Sequence, residues 1–285
     1  DSRRPVHNTE EYRYYPENPF MSVADAPLST FGADVDTASY ANIRRMILDG
    51  DRVPEDAVRI EEMLNYFYYD YPKPKEGEPF SVTARLAQCP WNDKHDLLQI
   101  GLQAEKLDEG TMPKSNLVFL LDVSGSMEAP DKLDLVKRAF LMMTEYLKSD
   151  DTISIVTYAS DDRIVLDGAA GEDRLSIMTA IENLSAGGST HGSRGIETAY
   201  QLAEKHYIEG GNNRVILATD GDLNVGITSE GGLTRLIKDQ KDRGVFLSVL
   251  GFGTGNLKDN KMEAMADNGN GQYSYVDSIA EARKV

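Results

Sequence analysis

Three oxygen-bearing side chains close an apolar run in NLVFLLDVSGSM, residues 116–127: Leu117–Leu121 are followed by Asp122, Ser124 and Ser126. Spacing of two puts all three on one side of a chain that stays extended past its strand. Two more polar insertions follow downstream. SAGGSTHGSRG presents Thr190 in a glycine-rich loop ahead of a helix, and ATDGD ends a buried run on Asp220. Together these supply two carboxylates and three hydroxyls, all hard oxygens, with no cysteine and no required histidine. Such a set suits Mg²⁺, which takes oxygen ligands in near-octahedral order, with Mn²⁺ or Ca²⁺ as alternative occupants; it does not suit zinc or copper. Neutral hydroxyl ligands leave the ion electron-poor while the aspartates hold its waters. With one position unfilled, such an ion takes up an external carboxylate.

Those insertions need a scaffold that brings them to one edge. From Asn116 onward, runs rich in Val, Ile and Leu alternate with amphipathic segments: NLVFLLD, then KLDLVKRAFLMMTEYLK with a stripe of Leu133, Val136, Phe140, Met143 and Leu147, then TISIVTYA, DRLSIMTAIENL, Ile196–His206, RVILATDG, GLTRLIKDQKDRG, VFLSVLGFG, LKDNKMEAMADNG and QYSYVD. This alternation predicts an α/β fold, a doubly wound and mostly parallel sheet with helices on both faces. Its natural crevice lies at the carboxyl ends of the strands, where strand order reverses. RIVLDG follows TISIVTYASDD too closely for a crossover helix, so it is expected as an antiparallel edge strand.

The front of the chain is patterned differently. Tyr40, Ile43, Met46 and Ile47 recur at helical spacing behind Asp36, and Ile60, Met63, Leu64 and Phe67 behind Asp56, so each aspartate is expected to cap a helix. After the breaker YPKPKEGEP, the segment FSVTARLA alternates strictly, as does the segment around Leu98, Ile100 and Leu102. Both are expected as half-buried antiparallel strands. The sequence thus divides into a smaller α+β module, 1–110, and a sheet domain, 111–285.

The formal charge of −17, from 47 acidic and 30 basic residues, argues against nucleic acid as partner. A single cysteine, Cys89, excludes an internal disulfide and reads as a small core residue. No run approaches the roughly 20 apolar residues that span a bilayer. The opening DSRRPVHNTE has neither an initiating Met nor an apolar targeting core, and is read as a trimmed or processed piece, with any targeting signal outside it. Enzyme patterns fit poorly: no GxSxG surrounds Ser124, no phosphate-binding GxxxxGK[ST] is present, and no general base is placed to run hydrolysis. The chain is therefore not expected to be an enzyme. A metal-assisted hydrolase of phosphate esters or envelope material, and a scaffold whose ion is purely structural, stand as alternatives.

At Asp122, Ser124, Ser126, Thr190 and Asp220 the sequence resembles the von Willebrand factor A domain with its metal-ion-dependent adhesion site, Asp-x-Ser-x-Ser followed by Thr and then Asp. The resemblance implies that Ser124 and Ser126 bind a divalent cation directly and Thr190 directly or through water. It implies that the two aspartates act largely through water, and that a partner protein completes the shell with an Asp or Glu carboxylate. STFGADVDTASYANIRRMI, VRIEEMLNYFYYDYP and CPWNDKHDLLQIGL resemble the amino-terminal region of a bacterial family of exported, lipoprotein-type proteins carrying this domain. That implies the cell envelope as location, with a lipid anchor as tether. Nearby residues have plainer readings: His191 as a rim or loop hydrogen-bonding group, and Asp222 as a turn former with help to the metal's waters as the alternative; Asp34 with Asp36 suggests a second cation, but a helix cap at Asp36 is the cheaper account.

Overall fold

The computed structural model describes residues 10–14, 16–33, 35–105, 112–188, 194–221, 230–255 and 257–285. By contacts the chain forms two units, one of Asp1–Tyr66 with Lys114–Val285 and one of Phe67–Pro113. One border, at Pro113, lies close to the one expected from the sequence, while the segment to Tyr66 groups with the sheet domain rather than with the two strands that follow it.

In the larger unit, strands β3 (Ser115–Asp122), β4 (Thr152–Tyr158), β5 (Asp162–Ala170), β6 (Asn212–Thr219), β7 (Val245–Phe252) and β8 (Tyr273–Val276) form one sheet in the order β5-β4-β3-β6-β7-β8. All neighbours are parallel except β5, which runs antiparallel to β4 at the edge, as RIVLDG implied. Successive residues of β3 face opposite layers. Val118 and Leu120 join helices α1 (Ala38–Asp49), α5 (Gly195–Lys205), α6 (Glu230–Asp242) and α7 (Asp259–Asn268) through Ala41, Ala199, Ile237 and Met262. Phe119 and Leu121 join α3 (Leu133–Met143), α4 (Arg174–Glu182) and α8 (Ile279–Lys284) through Phe140, Ile177 and Ala282. A strand covered on both faces reads as an unbroken apolar run, which is why Leu117–Leu121 do not alternate with polar residues. Because β3 is flanked by β4 on one side and β6 on the other, the connections part there and leave a crevice at its carboxyl end.

Helix α1 belongs to this core rather than to a separate module. Its start is not capped by Asp36: the N-cap is Thr37 without a side-chain bond, and Asp36 Oδ1 instead accepts from the Tyr273 backbone N–H at 2.8 Å, joining the segment to β8. Glu62, on α2 (Ile60–Asn65), serves the first turn of α1 by accepting from Ser39 N at 2.8 Å. Asp56 likewise caps no helix; it lies inside the short 3₁₀ turn Glu55–Ala57, and α2 begins after Arg59. Arg59 is buried between the carboxylates of Glu62 and Asp259, both wholly buried. Arg44 donates to Asp277 at 2.6 Å and to Glu281 at 3.0 Å, and so ties α1 to α8.

In the smaller unit, β1 (Phe80–Gln88) pairs antiparallel with β2 (Asp96–Ala104), Phe80 opposite Ala104 through Gln88 opposite Asp96. Half-burial does not follow. Phe80, Val82, Leu86, Leu98, Ile100 and Leu102 are all exposed, because two strands alone cannot cover a face. Cys89, beside this hairpin, is buried as expected.

Candidate metal centre

Strand register delivers the polar groups to one edge. Asp122 lies opposite Tyr158, and Leu121 opposite Ala218, so Thr219 and Asp220 emerge where Asp122 does. Beyond Asp122 the chain stays extended only through Ser124 and then closes into the 3₁₀ turn Gly125–Glu128. Backbone bonds clamp this loop to its neighbours: Val123 N donates to Tyr158 O at 3.0 Å, Gly125 N to Gly188 O at 3.1 Å, and Gly187 N to Val123 O at 2.8 Å. Gly188, two residues before Thr190 in sequence, is thereby bound to the loop carrying the serines. Thr190, His191, Asp222 and Asp34 lie outside the described residues.

Asp122, Ser124 and Asp220 are wholly buried, whereas Ser126 is exposed, so the site opens to solvent on the Ser126 side. Asp122 Oδ1 accepts from Ser124 N at 2.9 Å and Oδ2 from Thr219 Oγ1 at 3.2 Å. Ser124 Oγ and Ser126 Oγ stand 3.0 Å apart. Asp220 Oδ2 accepts from Lys132 Nζ at 2.8 Å. Tyr158, wholly buried behind Asp122, has its phenol held well above the ordinary value by burial and by the Asp122 charge.

The donor set fits a hard divalent cation. Neighbouring ligands around an octahedral Mg²⁺, with bonds of about 2.1 Å, are about 3.0 Å apart, and the two serine hydroxyls already have that separation. Among the described residues no three histidine, cysteine, aspartate or glutamate side chains gather. A cation here would therefore be served by two carboxylates together with hydroxyls.

Burial pushes the Asp122 carboxyl up to about 6, with the Asp220 charge adding to the rise while hydrogen bonds from Ser124 and Thr219 pull it back. An acid raised above its ordinary value of 3.8 stabilises the fold while protonated; that contribution is full below the unfolded value and is lost as pH rises through 6. For the metal-free protein, Asp122→Asn is expected to exceed wild type in stability by about 3 kcal/mol at pH 7. The gap is expected to close towards pH 4, as read from urea unfolding at both pH values.

Sequence reasoning missed three residues of the site. Lys132 lies in PDK, five residues past the end of the motif-bearing stretch 116–127, and looks there like the entry to a helix. Thr219 sits inside the quoted ATDGD, and Tyr158 ends its own strand. Position at a strand's carboxyl end was the available signal for the last two; for Lys132 there was none, because its partner is 88 residues away.

A doubly wound sheet with oxygen-bearing side chains gathered at its switch point defines a domain of the α/β class. Residues 116–285 match the von Willebrand factor type A domain and residues 6–99 match a region described as von Willebrand factor, and the chain belongs to the von Willebrand factor type A domain family. Domains of this family commonly mediate protein interactions, often bind a divalent metal, and are generally not enzymes. The uncharacterized protein YfbK of Escherichia coli (strain K12) is 44% identical over 284 residues, covering 97% of this chain and 49% of that protein. The human inter-alpha-trypsin inhibitor heavy chain H3 is 31% identical over 182 residues, covering 60% of this chain and 20% of that protein. The chain spans about half the length of the first of these relatives and less of the other. A solved von Willebrand factor type A structure from Catenulispora acidiphila shares the fold at a TM-score of 0.52 and 19% identity, over 76% of this chain and 49% of that one. Among the described residues no helix is long and apolar enough to cross a membrane.

Proposed function

We propose that this chain is a metal-dependent protein-binding module in which Asp122, Ser124, Ser126, Thr190 and Asp220 hold Mg²⁺ and a partner protein docks an Asp or Glu carboxylate there. The observation that carries this reading is the pair of hydroxyls one octahedral edge apart beside two buried carboxylates. Thr190 enters through the family pattern. When bound, the cation supplies Lewis acidity for a carboxylate oxygen arriving from outside.

The chain's own residues do the rest. Ser124 and Ser126 offer neutral oxygens that leave positive charge undiminished, and Asp122 is fixed by Ser124 N and Thr219 Oγ1 so that its carboxylate does not swing into the opening. The exposed Ser126 marks the side from which a ligand enters. Location at the bacterial cell envelope, with a lipid anchor as tether, belongs to the same proposal and is supported by the resemblance of residues 29–102 to exported relatives.

Capture from envelope extracts tests the reading. Wild type in Mg²⁺ is expected to retain proteins that are released by EDTA and never held by Ser124→Ala. Retention indifferent to both would overturn it.

A further inference from the structure

We propose that Lys132 is a built-in counter-cation of this site, which holds Asp220 in place and sets how tightly a divalent ion binds. The inference rests on the metal-binding reading above and deepens it. Lys132 is 7% exposed, an unusual position for an ammonium unless it is paired. Its Nζ donates to Asp220 Oδ2 at 2.8 Å. Its stem runs across Gly253, just beyond β7, where φ is +73° and a Cβ would collide with Lys132 Cγ and Cε. Three separate loops thus build one seat: the loop after β3 brings the lysine, that after β6 the carboxylate, and that after β7 a glycine that only a missing side chain makes passable.

The consequence is electrostatic. Asp122 and Asp220 alone would present two negative charges to a divalent ion and neutralise it. With the ammonium in place the fixed charge of these three described side chains falls to one. The loaded site then keeps a net positive charge, which favours an anionic ligand and weakens hold on the metal. Lys132 is a positioning residue and a determinant of ion affinity, not a ligand.

Mg²⁺ titration of the metal-free 285-residue chain by calorimetry tests this, with melting temperature as a second readout. Lys132→Gln keeps a donor for Asp220 and loses the charge; it is expected to bind Mg²⁺ about tenfold more tightly than wild type and to melt lower without metal. Lys132→Arg keeps the charge and is expected to bind as wild type does. Equal or weaker Mg²⁺ binding by a folded Lys132→Gln overturns the proposal, as does Lys132→Arg matching Lys132→Gln. Should Lys132→Gln fail to fold, Lys132→Met takes its place under the same criteria. No Mg²⁺ binding by wild type itself overturns the metal reading, and this proposal with it.

Discussion

Asp122→Ala is expected to erase the Mg²⁺ response of the protein while leaving its fold in place. A ligand present at a hundred times its dissociation constant stabilises the folded state by about 2.7 kcal/mol, which in a domain of this size moves the melting temperature by roughly 5–10 °C. Asp122 is the buried carboxylate on which both serines of the loop depend, since Ser124 N is bonded to it and Ser124 Oγ faces Ser126. Losing it removes one of two fixed negative charges and frees the loop. The metal-free fold tolerates the change because the ionised group is held above its ordinary range by burial and contributes no stability at neutral pH. Melting curves of both proteins with EDTA and with excess Mg²⁺ check this. A mutant that still gains several degrees from Mg²⁺ would falsify the assignment.

Arg59→Met is expected to cost about 3–5 kcal/mol, the amount typical of stripping one partner from a buried ion cluster. Arg59 sits between Glu62 and Asp259, and each of those carries further bonds: Glu62 to Ser39 N, Asp259 to Asn42 Nδ2 at 3.3 Å and to the Tyr273 hydroxyl at 2.8 Å. Without the guanidinium, two carboxylates remain buried together. The triple change Arg59→Met, Glu62→Gln, Asp259→Asn removes the stranded charges and is expected to recover much of the loss. Urea unfolding at pH 7 measures both, and a single mutant within 1 kcal/mol of wild type, a difference about the size of one ordinary hydrogen bond, would show the cluster to be dispensable.

The sheet and its polar edge were legible because both are written locally. An unbroken apolar run signals a strand buried on two faces, and an aspartate followed by serines at spacing two signals a break in that burial for a reason other than packing. The alternation of strands and helices implied a mostly parallel sheet whose carboxyl edge gathers such groups, while the order that sets β6 beside β3, and so Asp220 near Asp122, came from the structure. What escaped was set by distant partners. Asp36 has the chemistry of a helix cap, yet it accepts a bond from Tyr273, 237 residues on; no local window contains that competitor. Lys132 reads only as the entry to a helix until Asp220 and Gly253 stand beside it. Strict alternation in FSVTARLA identified a strand but not whether anything covers its apolar side, since period two describes the strand and says nothing of its neighbours. Thr190, the remaining member of the expected set, falls outside the described residues.

Ala38 and Ala41 lie in the same apolar layer as Val118 and Leu120, and this bears on how the molecule is handled in pieces. A fragment trimmed to start at residue 111 would keep every family hallmark yet arrive at the bench with a bare strip along β8 where a helix had lain. The sheet-bearing part of the chain is, in bulk, incomplete without the segment that precedes it by some seventy residues, so dissection by homology alone would manufacture a sticky surface that the intact polypeptide never shows.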